Sequence, residues 1–166
     1  TFLDLFKNIR NRTEYLFSTG FSHIGFGFLI LFISLNSIFS VEYDFNMKIG
    51  EKRKMNKYEI ILQDLEISSE KNYKKFVGDL KIFYNKNNST EFLRPEIRIY
   101  DQPETITYEA SIKSNILSDT YVTMSNISKS DFYNIKFQKK PFMNLIWFST
   151  ILIAFGGLIR ILKRKN

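Results

Sequence analysis

The sequence predicts a membrane protein of the α + β class: two transmembrane helices flanking a small antiparallel β barrel or sandwich domain. Three observations carry that prediction. Apolar residues concentrate in two runs, Phe21 to Ser40 and Phe142 to Leu162, with no charged residue before Arg160. Each is near the roughly 20 residues a helix needs to cross about 30 Å of hydrocarbon. The stretch between them, Val41 to Lys140, is instead charged, aromatic and β-branched, broken by polar turns and without a sustained helical period.

In chain order, residues 1–20 read as a cytoplasmic lead-in or the end of a preceding helix, because Phe2, Leu3, Leu5, Phe6 and Ile9 alternate with charges in a pattern an amphipathic helix accommodates. Residues 21–40 form the first span. A cleaved secretory signal fits poorly there, since the run exceeds a signal's apolar core, contains His23 and Asn36, and lacks a small-x-small cleavage site. The chain does not start with Met, and on that ground it reads as a segment or a processed product.

Residues 41–140 form the extracytoplasmic β-rich domain. Tyr58, Ile60 and Leu62, then Phe76, Gly78, Leu80, Ile82 and Tyr84, alternate so that each set shares one face of a strand. Asn85 to Ser89 is the clearest turn. Further strands are expected at Glu96–Tyr100, Thr105–Tyr108, Thr120–Met124 and Phe132–Phe137. About 100 residues suffice to bury one core. Residues 141–162 form the second span, opened by Pro141 where a missing amide hydrogen costs little, with Trp147 at interfacial depth. Residues 163–166 are a basic cytoplasmic tail. Lys7, Arg10 and Arg12 at the head, with Arg160, Lys163, Arg164 and Lys165 at the end, favour termini inside and the β domain outside.

Several function classes are excluded. The chain has no cysteine, which removes disulfides, thiolate chemistry and cysteine-ligated metal. Outside the β domain seven Lys/Arg face Asp4 and Glu14, and within it seventeen face fifteen acids, so the net +7 is no single basic patch and no nucleic-acid footprint. Ser and Thr in the domain have no histidine partner for a triad. No glycine-rich phosphate loop occurs. Glu109 and Asp119 have no separation fixed by sequence, and triplets such as Asn88-Ser89-Thr90 carry no weight in an Asn/Ser-rich chain.

The single histidine, His23, is the foremost candidate site residue. An ionisable side chain at membrane depth is costly and reads by default as functional. On a helical wheel Gly20, His23, Gly27 and Ser34 fall within about 60°, a stripe of small residues around one imidazole. Small residues admit a neighbouring helix or a macrocycle close to the backbone. The imidazole can ligate haem iron or another metal, shuttle protons, or hydrogen-bond a neighbouring helix. Near the second span's exit, Ala154-Phe155-Gly156-Gly157 reads as close helix packing. Arg94 and Arg98, around Pro95-Glu96, have two readings: a guanidinium fork for a carboxylate or propionate, or the wet face of a half-buried strand.

Taken in order, Ser22-His23-Ile24-Gly25, Met47-Lys48-Ile49-Gly50-Glu51, Asn72-Tyr73, Leu93-Arg94-Pro95-Glu96, Tyr108-Glu109-Ala110-Ser111-Ile112, Asp119-Thr120-Tyr121-Val122, and Lys140-Pro141-Phe142 followed by Ile146-Trp147 and Gly156-Gly157-Leu158 resemble the C-terminal part of the CcmF family, the cytochrome c haem lyase of the multi-component maturation system. The resemblance covers nearly the whole chain from His23 onward. It implies a longer polytopic protein with a tryptophan-rich haem-handling segment elsewhere. It also implies that His23 is one axial ligand of an intramembrane haem b, the other coming from a histidine outside this chain. The haem b would keep an incoming haem reduced while it is attached to apocytochrome c.

The implied partners are the remainder of the haem lyase, a haem chaperone, an apocytochrome-handling subunit and apocytochrome c itself. The implied location is a bacterial or mitochondrial inner membrane, with the β domain on the periplasmic or intermembrane side. With Trp147 alone, no second histidine, and Glu70-Lys71 where the family has Gly-Pro, the chain reads as a C-terminal segment, a fragment or a split-gene product. Neither haem attachment nor haem b ligation is completed by these residues alone. The alternative is a non-catalytic two-span envelope protein whose β domain is an interaction module and whose His23 only packs helices.

Overall fold

The structure is a computed structural model, which describes residues 2–84, 89–126 and 131–164, with side-chain environments for residues 16–84, 89–125 and 131–162. The turn expected at Asn85 to Ser89 falls mostly outside the described residues, as do the side chains of the N-terminal lead-in and the basic tail. The chain forms two compact units. One contains both helices with residues 116–118, and the other contains the strands.

Helix α1 runs unbroken over Phe2–Phe39 and α2 over Met143–Arg164. Their apolar portions, Leu16–Phe39 and Met143–Leu162, are 24 and 20 residues long, enough by length and composition to cross a membrane. The two helices meet through small residues. Ser18, Ser22 and Gly25 on α1 lie against Ser149, Ile153 and Gly156 on α2. A Cβ on Gly25 would stand 2.9 Å from Ile153 Cγ1 and 3.0 Å from the Ser149 carbonyl, so only glycine allows this approach. Ser18 Oγ donates to the Gly156 carbonyl across the seam at 2.8 Å. Phe21 meets Phe155 edge-on at 5.7 Å, and Asn36 donates to the Pro141 carbonyl.

The chain enters α2 through Phe142 at φ 64°, a left-handed conformation that costs a bulky residue about 1–3 kcal/mol. Two contacts hold it. The Phe142 amide donates to the Leu117 carbonyl at 2.7 Å, and its ring stacks on Phe32 with centroids 6.2 Å apart.

The second unit holds ten strands: β1 Val41–Met47, β2 Lys52–Met55, β3 Tyr58–Ser69, β4 Tyr73–Tyr84, β5 Ser89–Leu93, β6 Glu96–Asp101, β7 Glu104–Glu109, β8 Ser111–Ser114, β9 Ser118–Asn126 and β10 Tyr133–Pro141. They form two antiparallel sheets. One has the order β1-β10-β9-β8, and the other β2-β3-β4-β6-β7 with β5 also paired to β4. Of the two architectures expected, the strands adopt the sandwich and do not close into a barrel. The first and last strands pair, Val41 with Lys139 through Met47 with Tyr133, so the chain enters and leaves this unit side by side.

The core lies between the sheets. Met47, Met124, Ile135 and Phe137 come from one, and Ile60, Leu62, Leu80 and Ile82 from the other, all at most 1 % exposed. The alternation at Tyr58–Leu62 and Phe76–Tyr84 puts Ile60, Leu62, Gly78, Leu80 and Ile82 inward, as period-2 spacing requires. β5 and β6 pair in succession with the same side of β4, interrupted at Arg94-Pro95, where the Pro95 carbonyl accepts from Gly78 N–H at 3.0 Å. Proline has no amide to continue the ladder, which is why the strand breaks there. Strands β1, β2, β5 and β8 lie outside the sequence expectations. β1 alternates Val41, Tyr43, Phe45 and Met47 and was legible by period, whereas β2 and β8 are only four residues long.

Candidate functional site

His23 lies on the exposed side of α1. The α2-facing positions Ser18, Ser22 and Gly25 cluster on one side of the helical wheel, and at 100° per residue His23, Gly20, Gly27 and Ser34 fall about 130–190° away from them. The small-residue stripe is therefore not the seam with α2. A Cβ placed on Gly20 or Gly27 meets nothing within 4 Å, so one turn on either side of His23 the helix surface is bare backbone. Leu16, Phe17, Gly20, Phe21 and Ile24 line an open apolar groove of about 390 Å³ along the same helix. Ser34 Oγ is turned back onto the Ile30 carbonyl at 2.9 Å.

One hydrogen bond sets the chemistry of the imidazole. His23 Nδ1 lies 2.8 Å from the Thr19 carbonyl oxygen, one turn earlier. A carbonyl only accepts, so Nδ1 carries the proton, and the distal Nε2 of the neutral ring keeps its lone pair. The same bond restricts ring rotation. This is the arrangement by which metal-ligating histidines are oriented, with a backbone carbonyl as the outer partner. His23 is not among the residues that line the groove, so what a flat macrocycle would meet on this face is the imidazole and the bare flanks at Gly20 and Gly27. Among the described residues no group of three or more His, Cys, Asp or Glu side chains is placed to hold a metal ion by itself. Any metal held here needs a further ligand or a prosthetic ring.

The other sequence candidates have different fates. Arg94 is exposed and already engaged by two carboxylates, Asp79 at 2.7 Å and Glu66. Arg98 donates to Glu96 at 2.8–2.9 Å and lies 3.9 Å from Glu109. Arg94 is spent on acids of β3 and β4, and Arg98 on Glu96 of its own strand with Glu109 of β7 nearby, which is the wet-face reading. Hydrogen bonding to those carboxylates raises both guanidinium pKa values, so the charges are permanent. Glu109 accepts from Thr107 and Asp119 from Tyr121, so the two acids have separate partners and do not act as a pair. In α2, Gly156 packs against Ser18 and Ser22, while Gly157 faces open space.

A polar cluster that sequence reasoning missed joins the two sheets. Tyr84 on β4 donates to Glu91 on β5, while Lys139 on β10 donates to Tyr84 Oη at 3.4 Å and to the buried Thr120 on β9 at 3.2 Å. Desolvation is the first cause of both shifts: it lowers the Lys139 pKa and, with the Glu91 contact, raises that of Tyr84. These residues lie up to 55 positions apart, and no local pattern brings them together. The Ser18, Ser22, Gly25 seam, by contrast, was legible at helical spacing.

Comparison with known proteins places this arrangement. A family model described as the CcmF C-terminal beta-sandwich matches residues 38–141. The chain belongs to that CcmF family. The cytochrome c-type biogenesis protein CcmF of Pseudomonas fluorescens is 27 % identical over 161 residues, 97 % of this chain and 24 % of that protein. That of Escherichia coli K12 is 25 % identical over 138 residues, 83 % of this chain and 21 % of that protein. A solved cytochrome c heme lyase CcmF superposes with a TM-score of 0.67 at 15 % identity, over 89 % of this chain and 25 % of that one, which establishes a shared fold. The chain spans about a quarter of the length of these CcmF relatives. The family model covers the sandwich, and the Pseudomonas fluorescens match is long enough to include both helices and therefore His23.

Proposed function

We propose that this chain is the C-terminal portion of a haem lyase subunit acting in cytochrome c maturation, and that His23 supplies one axial ligand to an intramembrane haem b. The names of its relatives, cytochrome c-type biogenesis proteins and a heme lyase, support the process. The observation that carries the residue assignment is the His23 Nδ1–Thr19 bond on the face of α1 turned away from α2. When bound, haem b supplies a one-electron couple that keeps the iron of the substrate haem reduced.

The chain's own contributions follow from the geometry. His23 binds through Nε2, the Thr19 carbonyl fixes the tautomer, and Gly20 and Gly27 leave the backbone flush so that a ring plane can approach. Because His23 is the only histidine among these 166 residues, a second histidine ligand would come from outside them. Both apolar helices cross the inner membrane, bacterial or mitochondrial, with the sandwich on the periplasmic or intermembrane side. There it meets the rest of the lyase, a haem chaperone, an apocytochrome-handling subunit and apocytochrome c. The rival, a two-span interaction protein in which His23 only packs helices, is disfavoured by the seam, since α1 packs on α2 without the imidazole.

A reduced-minus-oxidised absorption spectrum of the complete complex tests the assignment. His23→Ala abolishes the b-type signal and cytochrome c maturation, and an unchanged spectrum refutes the ligand role. Gly27→Leu fills the flank without touching the ligand and lowers haem retention. Full occupancy in that variant moves the ring elsewhere.

A further inference from the structure

The β8–β9 hairpin ends in Ser114-Asn115-Ile116-Leu117-Ser118, a tip without charge. Ile116 is 81 % exposed, the highest value of any large apolar side chain among the described residues, and Leu117 is 63 % exposed. A hairpin tip that faces water is ordinarily built from Gly, Asn, Asp and Ser. This one instead offers two adjacent branched aliphatics to its surroundings.

The position of the tip is fixed. Residues 116–118 fall into the same compact unit as the helices, unlike the residues on either side of them. The Leu117 carbonyl accepts the Phe142 amide at 2.7 Å, immediately before α2 starts at Met143. Phe142 keeps a left-handed backbone in making that bond. Trp147, 62 % exposed, follows five residues later, about 7.5 Å along the helix axis. Exposed tryptophan near the end of an apolar helix marks the headgroup level. At the end of α1, Ile38 and Phe39 are 71 % and 58 % exposed. The tip thus continues the apolar surface of the helix ends at the depth where water gives way to hydrocarbon.

From this we infer that Ile116 and Leu117 insert into the bilayer as a third membrane contact, seated at the boundary between headgroups and acyl chains of the leaflet nearest the sandwich. The occupant of this surface is lipid. Neighbouring charges agree with that depth: Lys113 on one flank is exposed and suited to a phosphate headgroup, while Asp119 on the other is only 5 % exposed and withdrawn from it. The Leu117 carbonyl ties the tip to the residue that opens α2. The inference rests on the reading that both helices span the membrane.

Depth-dependent quenching tests it on the complete complex in nanodiscs of phosphatidylcholine and phosphatidylglycerol. These 166 residues contain no cysteine, so an environment-sensitive thiol label can be placed at Ile116→Cys, at Phe148→Cys within α2, and at Ile67→Cys on β3. With nitroxide-bearing lipids, Ile116 is quenched like Phe148 and several-fold more than Ile67, and aqueous iodide gives the reverse order. Strong iodide quenching at Ile116 with Phe148 protected overturns the inference while leaving the spans intact. Protection of Ile116 from both quenchers means protein covers the tip, which also overturns it. Iodide quenching of Phe148 removes the spanning reading itself, and the inference falls with it.

Discussion

Gly156 and Gly157 are adjacent in one helix, yet the structure assigns opposite consequences to the same substitution at each. A Cβ at Gly156 would stand 2.3 Å from Ser22 Oγ, 2.8 Å from the Ser18 carbonyl and 2.9 Å from the Ser22 amide nitrogen. The hydroxyl can rotate, but the two backbone atoms cannot move without α1. Restoring ordinary contact of about 3.4 Å therefore separates the helices by roughly 0.5 Å along the seam. That separation weakens the Ser18 hydrogen bond to the Gly156 carbonyl, worth about 0.6 kcal/mol in a membrane, and loosens the close approach of Gly25 to Ile153. With an overpacking cost of about 1–3 kcal/mol, the weakened bond, and a helix-propensity gain of about 1 kcal/mol, Gly156→Ala destabilises the pair by roughly 0.5–2.5 kcal/mol. At Gly157 nothing lies within 4 Å, so alanine keeps only the propensity gain. Ser149→Cys, fully buried on the same seam, reports helix opening through its rate of maleimide labelling in detergent. Gly156→Ala accelerates labelling roughly two- to sixty-fold, since 1.4 kcal/mol is a factor of ten, and Gly157→Ala does not. Equal rates in the two variants would refute the small-residue seam.

Two further outcomes concern the sandwich. A Cβ on Gly78 would lie 2.7 Å from Met124 Sδ and 3.1 Å from its Cε, so Gly78→Ala costs about 1 kcal/mol, softened by methionine's flexibility. Thermal denaturation of Gly78→Ala, Met124→Leu and the double variant gives a coupling of at least about 0.5 kcal/mol, and strict additivity would mean the two residues do not touch. The tyrosines set the alkaline limit. Tyr58, Tyr84 and Tyr121 all have pKa values raised above 10.0, first by burial, so the folded state holds protons that the unfolded chain releases. Stability from these groups is complete below about pH 10 and is lost as pH rises further, while Lys139, lowered by burial, works weakly in the opposite direction. Melting temperature accordingly stays flat to about pH 10 and then falls, less steeply in Tyr84→Phe. The Tyr84 contribution is below about 1.4 kcal/mol per pH unit because the ring is part-solvated. An unaltered slope in Tyr84→Phe would show that another group governs the transition.

What the sequence made legible was whatever has a short period. The two apolar runs, the inward face at Gly78, Leu80 and Ile82, and the Gly20, His23, Gly27 stripe are local patterns, and each appears in the structure as a continuous face. What it hid depends on pairing across long separations. The partition of the strands into two sheets, the pairing of β1 with β10, and the Tyr84–Lys139 stitch need contacts between residues 55 to more than 90 apart, on which local periodicity is silent. Arg94 and Arg98 illustrate the same limit from the other side. Alternation with Ile97 and Ile99 places them on a wet face and Glu96 stands two residues from Arg98, but only the register with β3, β4 and β7 reveals Glu66, Asp79 and Glu109.

The glycines of α1 carry the argument for a group outside this chain. Each glycine inside a helix costs about 1 kcal/mol relative to alanine, so a helix keeps one where close contact compensates. Gly25 has that compensation in full, since Ile153 and the Ser149 carbonyl occupy the space a side chain would fill. Gly20 and Gly27 have none within these residues, on the opposite face, one turn to each side of an imidazole whose tautomer is set by Thr19. On the function proposed above, the two glycines without contacts among these residues would admit the haem plane, and the oriented histidine would offer Nε2 to its iron. A third helix packed on the stripe would use the glycines alone. Replacing His23 by alanine while keeping Gly20 and Gly27 separates these occupants, because helix packing survives that change and iron ligation does not.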